Sequence, residues 1–210
     1  MAMTFNSLSA QILSYLIRSD ADTIAQIPNF ISQAEQRICR ESKNIGLEVY
    51  VTSAFLVGNP VITKPGRWRR SLSLNFGTGV GNNTRNQLAL RKYEFLRNYW
   101  PDATKTAPPQ FYCDYGYSHL LVAPTPDQAY PFEYSYLELP DPITVNNQTN
   151  WITNYAPDVF LYASLLEAVP FLQNDERVPL WQNMYQKGIE SLNSQDDQRL
   201  LDRASNARSD

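Results

Sequence analysis

Asp175, Glu176 and Arg177 stand together at the end of the apolar run SLLEAVPFLQ (164–173). Two carboxylates beside a guanidinium have the chemistry to move a proton or to pair with an opposite charge. Nothing close to them in sequence completes a catalytic set, because no histidine, nucleophile or metal cluster lies nearby. Negative charge placed just ahead of an apolar stripe favours a helix N-terminus. The cluster therefore reads as a corner between two helices, with Pro170 bending the approach, Pro179 setting the exit and Arg177 pairing with an acid nearby or across an interface.

The other chemically capable residues are scattered. Cys39 and Cys113 are the only cysteines and His119 is the only histidine, too few for a closed four-ligand zinc site. A Cys113–His119 dyad would sit in a strand-like, aromatic-rich run, and the cysteines read as two free thiols. GRWRRSL (66–72) sets Arg67, Arg69 and Arg70 beside Trp68, a combination able to stack bases and hold phosphates. The simpler reading is a solvated strand end with Trp68 packed inward. GTGVGNN (77–83) is similar to a phosphate loop but lacks the Gly-Lys-Ser/Thr ending and a following helix. It reads as a hairpin tip, and Gly77, Gly79 and Gly81 could serve as a contact finger. Asp127 and Glu133 could form a hydrolytic carboxylate pair, yet nothing around them builds a pocket.

The elements that must position these residues follow from an uneven distribution of turn formers and aromatics. Of 8 glycines, seven fall between Gly46 and Gly116, and of 14 prolines, ten fall between Pro60 and Pro142. Nine of 13 tyrosines share that region. Short strands follow there: EVYVTSAFLV, WRRSLSLNF, NQLAL, QFYCDYGYSHLLVAP and YPFEYSYLELP, with a helix-like RKYEFLRNYW between them. Gly116 marks a hairpin turn at 114–117.

Both chain ends are helical. Phe5, Leu8, Ile12 and Leu16 repeat at helical spacing to about Ser19. Ile27, Phe30, Ile31, Ala34 and Ile38 form a second stripe ending near Lys43, with Glu35, Arg37, Arg40 and Glu41 turned away. Helix resumes at Trp151. Val159, Phe160, Tyr162, Leu165, Leu166, Val169, Phe171 and Leu172 surround the next helix almost completely, so its cover must come from its own bundle and from a neighbouring subunit. Val178, Trp181, Tyr185, Ile189 and Leu192 stripe a fourth helix.

The expected fold is thus α+β: residues 1–45 and 146–193 form a bundle of about four helices, 46–145 a β-rich insertion, and 194–210 an extended C-terminal tail. Ordering that tail costs ~1–2 kcal/mol per residue in backbone entropy, and burying Leu200 and Leu201 returns only ~1.5–3 kcal/mol each. The tail is expected to be disordered or a frayed helix until a partner orders it.

The totals exclude several classes. A net charge of −3 and a pI near 5.2 disfavour tight electrostatic grip on nucleic acid. The N-terminus lacks the basic start of a signal peptide. The most apolar stretch, 156–172, carries Asp158, Glu167 and two prolines, which disfavours a transmembrane span. No cofactor or metal is expected.

With these pieces assembled, the sequence resembles the head-to-tail adaptor (connector) proteins of short-tailed bacteriophages. The resemblance lies in YLIRSDADTIAQIPNFISQAEQRICRE, in LLVAPTPDQAYPFEYSY, and above all in TNWITNYAPDVFLYASLLEAVPFLQNDERVPLWQNMY. It implies a non-enzymatic structural protein of the virion neck, assembled in the host cytoplasm. Such proteins form a ring, typically of twelve copies, between portal and tail nozzle, which lines a conduit that DNA passes without sequence-specific binding. In them the helical bundle builds the ring, the C-terminal segment reaches the portal and the β-rich insertion faces the tail. On this reading Phe160, Leu165, Leu166, Val169 and Trp181 are ring-interface or bundle-core residues. Arg199, Leu200, Leu201 and Arg203 contact portal, and Gly77, Gly79 and Gly81 contact the nozzle. The alternatives are another tail or nozzle subunit, a virion hydrolase joining Glu133 with Asp175, and a nucleic-acid module centred on GRWRRSL.

Overall fold

The computed structural model describes residues 3–42, 47–78, 84–172 and 175–206, the side chains of 196 and 199–206 excepted. Along the chain run α1 (Phe5–Leu16), α2 (Ala21–Glu41), β1 (Glu48–Ala54), β2 (Val61–Thr63), β3 (Trp68–Thr78), β4 (Thr84–Gln87), β5 (Ala89–Leu90), α3 (Tyr93–Tyr99), β6 (Phe111–Asp114), β7 (His119–Ala123), β8 (Pro131–Glu138), α4 (Trp151–Tyr155), α5 (Pro157–Leu172) and α6 (Val178–Asn206). The described residues thus make a mixed α+β fold of six helices and two four-stranded sheets. They divide into two compact units, Met1–Leu47 with Pro140–Asp210, and Glu48–Leu139.

In the helical unit, Thr4 caps α1 reciprocally with Ser7: the Ser7 N–H donates to Thr4 Oγ1 at 3.1 Å and the Thr4 N–H to Ser7 Oγ at 2.8 Å. Phe5, Leu8, Ile12 and Leu16 are buried, as their spacing predicts. The helix closes through Ile17 in the left-handed region (φ 54°), with N–H bonds from Ile17 to the Ser14 carbonyl and from Arg18 to the Leu13 carbonyl. This is the termination that normally recruits glycine, because a β-branched side chain there is strained by roughly 1–2 kcal/mol. The Ile17 side chain is 81% exposed, so little packing offsets that strain. Ile17→Gly is expected to raise stability by about 0.5–1 kcal/mol in denaturant titration, after the extra unfolded-state entropy of glycine. A loss of stability would show that the side chain is packed.

Asp20 caps α2 by accepting the Thr23 N–H at 2.9 Å. The stripe Ile27, Phe30, Ile31, Ala34 and Ile38 is buried as expected, but the opposite face does not simply turn to water. Glu35 is buried: its Oε1 accepts the Ile143 N–H at 3.1 Å and an Asn150 Nδ2 hydrogen at 2.7 Å. Arg37 pairs with Glu167 at 2.6 Å, and Glu41 accepts from the Tyr185 hydroxyl at 2.7 Å. The stripe rule places apolar side chains only. It is silent about donors brought in from residues a hundred positions away.

α5 packs against α1, α2, α4 and α6 of the same chain. Val159, Phe160, Leu161, Ala163, Leu165, Leu166 and Ala168 are all buried. The cover expected in part from a neighbouring subunit is therefore largely supplied within the unit. α6 comes unusually near at Gly188, where an added Cβ would lie 2.7 Å from Val159 Cγ2. Trp181, Tyr185, Ile189 and Leu192 form the buried stripe of α6.

The segment from residue 194, expected as an extended tail that is disordered or a frayed helix, is helical to Asn206 as a continuation of α6. Lengthening an existing helix adds a hydrogen bond per residue fixed without a new nucleation cost, and Gln, Arg, Leu and Ala are good helix formers.

In the other unit, β1-β8-β3-β4 form one sheet and β2-β7-β6-β5 the second. Every pairing is antiparallel except β5 with β6. Strand alternation splits the second sheet's side chains. Tyr112, Leu120 and Val122 join Leu74, Phe76, Phe132, Tyr134 and Tyr136 from the first sheet in one core. Cys113, Leu121 and Ala123 form a smaller cluster with Leu96 of α3. The turn between β6 and β7 holds Gly116 at φ 71°, the conformation that makes glycine apt there.

Candidate functional site

The Asp175–Arg177 cluster is a corner built of hydrogen bonds. The Arg177 guanidinium spans the Asp175 carboxylate, with Nε to Oδ1 at 2.9 Å and an NH2 group to Oδ2 at 2.6 Å, while the Arg177 N–H also donates to Oδ1 at 2.9 Å. The remaining guanidinium nitrogen donates to the Tyr15 carbonyl at 2.6 Å, one residue before the end of α1. Arg177 also lies over the Trp181 ring at 5.1 Å. The arginine thus caps the negative end of α1 and fixes the entry to α6. Its hydrogen bonds hold the Asp175 carboxyl below the usual carboxylate range, so the acid is an ionised tie and not a proton donor.

The remaining candidates are dispersed over the fold. Cys39 and Cys113 are free and buried. Burial pushes the Cys113 thiol up, away from the thiolate that a nucleophile needs, and the His119 ring sits 3.0 Å from Ser118 Oγ. Asp127 lies in the turn before β8, and Glu133 in β8 between Thr52 and Asn75. Glu133 and Asp175, the hydrolase pair, belong to different units. Among the described residues no group of three His, Cys, Asp or Glu side chains could hold a metal ion, and no helix is long and apolar enough to cross a membrane.

In GRWRRSL, Arg67 donates twice to Glu138 Oε1, at 3.2 and 3.0 Å. Trp68 packs on the unit's core, and the ammonium of Lys64 covers its ring at 3.6 Å. A ring face so covered is not free for a base. Lys64 is itself buried, paired with Asp114 and bonded to the carbonyls of Gly116 at 3.1 Å and Tyr117 at 3.4 Å. It therefore fixes the β6–β7 turn from below.

Of the residues expected at an interface or in the bundle core, Phe160, Leu165, Leu166 and Trp181 are between 0 and 6% exposed in the core of the helical unit, and Val169 is partly buried against it. Gly77 is buried inside β3, opposite Arg85, whereas Gly79 and Gly81 lie outside the described residues. Arg199, Leu200, Leu201 and Arg203 fall on the last turns of α6 with side chains outside the described residues. Among the described side chains Leu192 is the last of α6 in the core cluster. The helix continues beyond it for 14 residues to Asn206, about 21 Å at 1.5 Å per residue.

One surface escaped sequence reasoning. Tyr93, Phe95 and Tyr99 of α3 are each 39–41% exposed, and the β6–β7 turn that Tyr93 meets through Tyr115 (38%) also carries Tyr117 (91%). Tyr93 stacks on Tyr115 with centroids 5.8 Å apart, and Phe95 on Tyr99 at 6.0 Å, while Phe111 meets Phe95 and Tyr99 edge-on at 5.1 and 4.9 Å. Arg91 lies over Phe95 and Arg97 over Tyr93, at 5.7 and 5.1 Å. Leu90, Arg91, Lys92, Tyr93, Cys113 and Asp114 help line an open groove of about 650 Å³ at its edge. The signal available in the sequence was the aromatic spacing in KYEFLRNYW together with the turn YGY. Periodicity says that such a segment is helical, but a helix of seven residues with one buried leucine does not announce which face is left bare.

A family model described as SU10 adaptor protein matches residues 3–209, which takes in both units. No curated protein matches the chain.

Proposed function

Since the chain belongs to the SU10 adaptor protein family, structural proteins of the phage head-to-tail junction, we propose that it forms a ring between portal and tail nozzle in the virion neck. Twelve copies is the expected number, from the resemblance of the sequence to such adaptors. In this reading the helical unit is the bundle that builds the ring, the β-rich unit faces the nozzle, and DNA crosses the ring on its way out of the head. The observation that carries the proposal is the extent of the family match, residues 3–209, across both units.

Two physical features support it. Nearly half of α6 runs on past Leu192, the last core residue among its described side chains, over about 21 Å, which suits a segment that reaches a partner. The net charge of −3 keeps the chain from gripping a duplex that bears a charge every ~1.7 Å, so DNA slides past.

The test is removal of residues 194–210. The truncated chain keeps Leu192 and every other described residue of the helical core, so its thermal transition is expected within a few degrees of the full chain. Its co-sedimentation with portal rings is expected to fall at least tenfold. Undiminished binding by a folded truncation overturns the portal-docking role.

A further inference from the structure

We infer that the aromatic surface of α3 and the β6–β7 turn is one side of a contact with a second copy of this chain, and that it meets the acidic helical unit of that copy. The inference rests on the adaptor reading in one respect, that closed rings are its expected product.

Composition comes first. Exposed tyrosine and phenylalanine beside arginine is the mixture enriched where proteins meet, because large rings bury much area with few rotors. Tyr93, Phe95, Tyr99, Tyr115 and Tyr117 together leave open the equivalent of two and a half rings. At ~200 Å² per ring that is roughly 500 Å², over half of the ~800 Å² that each partner contributes to a stable interface.

The surface is also ordered in advance. Each α3 ring is stacked or edge-packed on a neighbour, and Lys64 holds the turn that carries Tyr115 and Tyr117 through the Gly116 and Tyr117 carbonyls. Little side-chain freedom remains to be lost on association. The same stacking argues against single-stranded nucleic acid, which needs ring faces open to bases.

Charge selects the occupant. The unit that carries this surface has nine Lys and Arg against seven Asp and Glu, whereas the helical unit has nine against fourteen. Around the rings the balance is more positive still: Arg91, Lys92 and Arg97 face Glu94, while Asp114 is already paired with Lys64. Two copies meeting surface to surface would set these cations against each other. A copy offering its helical unit sets them against acids, a head-to-tail contact of the kind that closes rings.

The test follows association of the full chain, alone and on portal rings, by mass photometry at 50 and 300 mM salt. Arg91 and Lys92 are exposed, so Arg91→Glu with Lys92→Glu leaves the fold intact, which circular dichroism checks. The double variant is expected to weaken copy–copy association at least tenfold and Tyr117→Ser several-fold, with the wild-type contact weakening as salt rises. Carbodiimide should join Lys92 of one copy to carboxylates of another copy's helical unit, read by mixing isotope-labelled and unlabelled chains. Association unchanged by the double variant, or cross-links confined to the sheet unit, overturns the inference. So does a chain that binds single-stranded DNA through this surface and never associates with itself. Failure to bind portal with the copy–copy contact intact counts against the adaptor reading alone, and normal portal binding without that contact counts against this inference alone.

Discussion

Phe160→Asp is expected to leave the helical unit unfolded, with most of the 222 nm circular dichroism lost and no cooperative transition from the helices. Phe160 is fully buried on α5, where helices from both ends of the chain converge. Removing the ring alone costs ~3–5 kcal/mol. Placing a carboxylate there adds several more, because nothing in an apolar site replaces its water. The sum rivals the ~5–15 kcal/mol that holds an ordinary domain together. Leu165→Asp, also at a fully buried position, should behave alike. The sheet unit has a core of its own that shares no residue with the helical cluster, so near-ultraviolet signal from its tyrosines should survive. A folded Phe160→Asp protein that merely failed to assemble would show that α5 meets its neighbours between subunits and not within one.

That distinction marks the limit of what patterning reveals. The stripes of α1 and α2 were legible because a helix half buried against a core must alternate, and each buried large apolar position from Phe5 to Ile38 follows the period. α5 lacks alternation, and a helix apolar on all sides says only that it is covered. It does not name the cover, which here comes from four helices of the same chain. In the sheet unit the long strands and the Gly116 turn were legible from alternation and from a residue apt for positive φ. β2 was not, because Val61–Thr63 is too short to show a period. The corner at Asp175 was legible as a cap, while the reach of Arg177 to the Tyr15 carbonyl is a contact across 162 positions that no local pattern encodes. The aromatic surface was missed for the converse reason. Its rings are ordinary core formers by type, and only the arrangement of α3 on β6 leaves them outside.

Glu35 is the sharpest departure from patterning, and it makes stability depend on pH in an uncommon direction. The carboxylate holds the chain segment that returns from the sheet unit. Its Oε1 takes the Ile143 N–H and the Asn150 side-chain amide. Asn150 in turn donates to the Asp141 carbonyl at 3.0 Å and caps α4 by accepting the Thr153 N–H at 3.1 Å. Burial outweighs these two donors and pushes the carboxyl up to about 7 from an ordinary 4.5. A folded-state value above the unfolded one means that the native protein prefers the protonated acid. The contribution of Glu35 is therefore complete below about pH 4.5 and is lost as pH rises through about 7, by roughly 3 kcal/mol in all. Glu35→Gln keeps the accepting oxygen and removes the charge. It should match wild type to within about 1 kcal/mol at pH 5 and exceed it by about 2–3 kcal/mol at pH 8. Glu35→Ala strands both donors and should cost about 1–3 kcal/mol for each. Urea titrations of wild type and Glu35→Gln at the two pH values isolate the effect, since every other titrating group cancels in the difference. A difference that stays constant from pH 5 to pH 8 would mean that water reaches the carboxylate and that the anchor is not the buried group its surroundings make it.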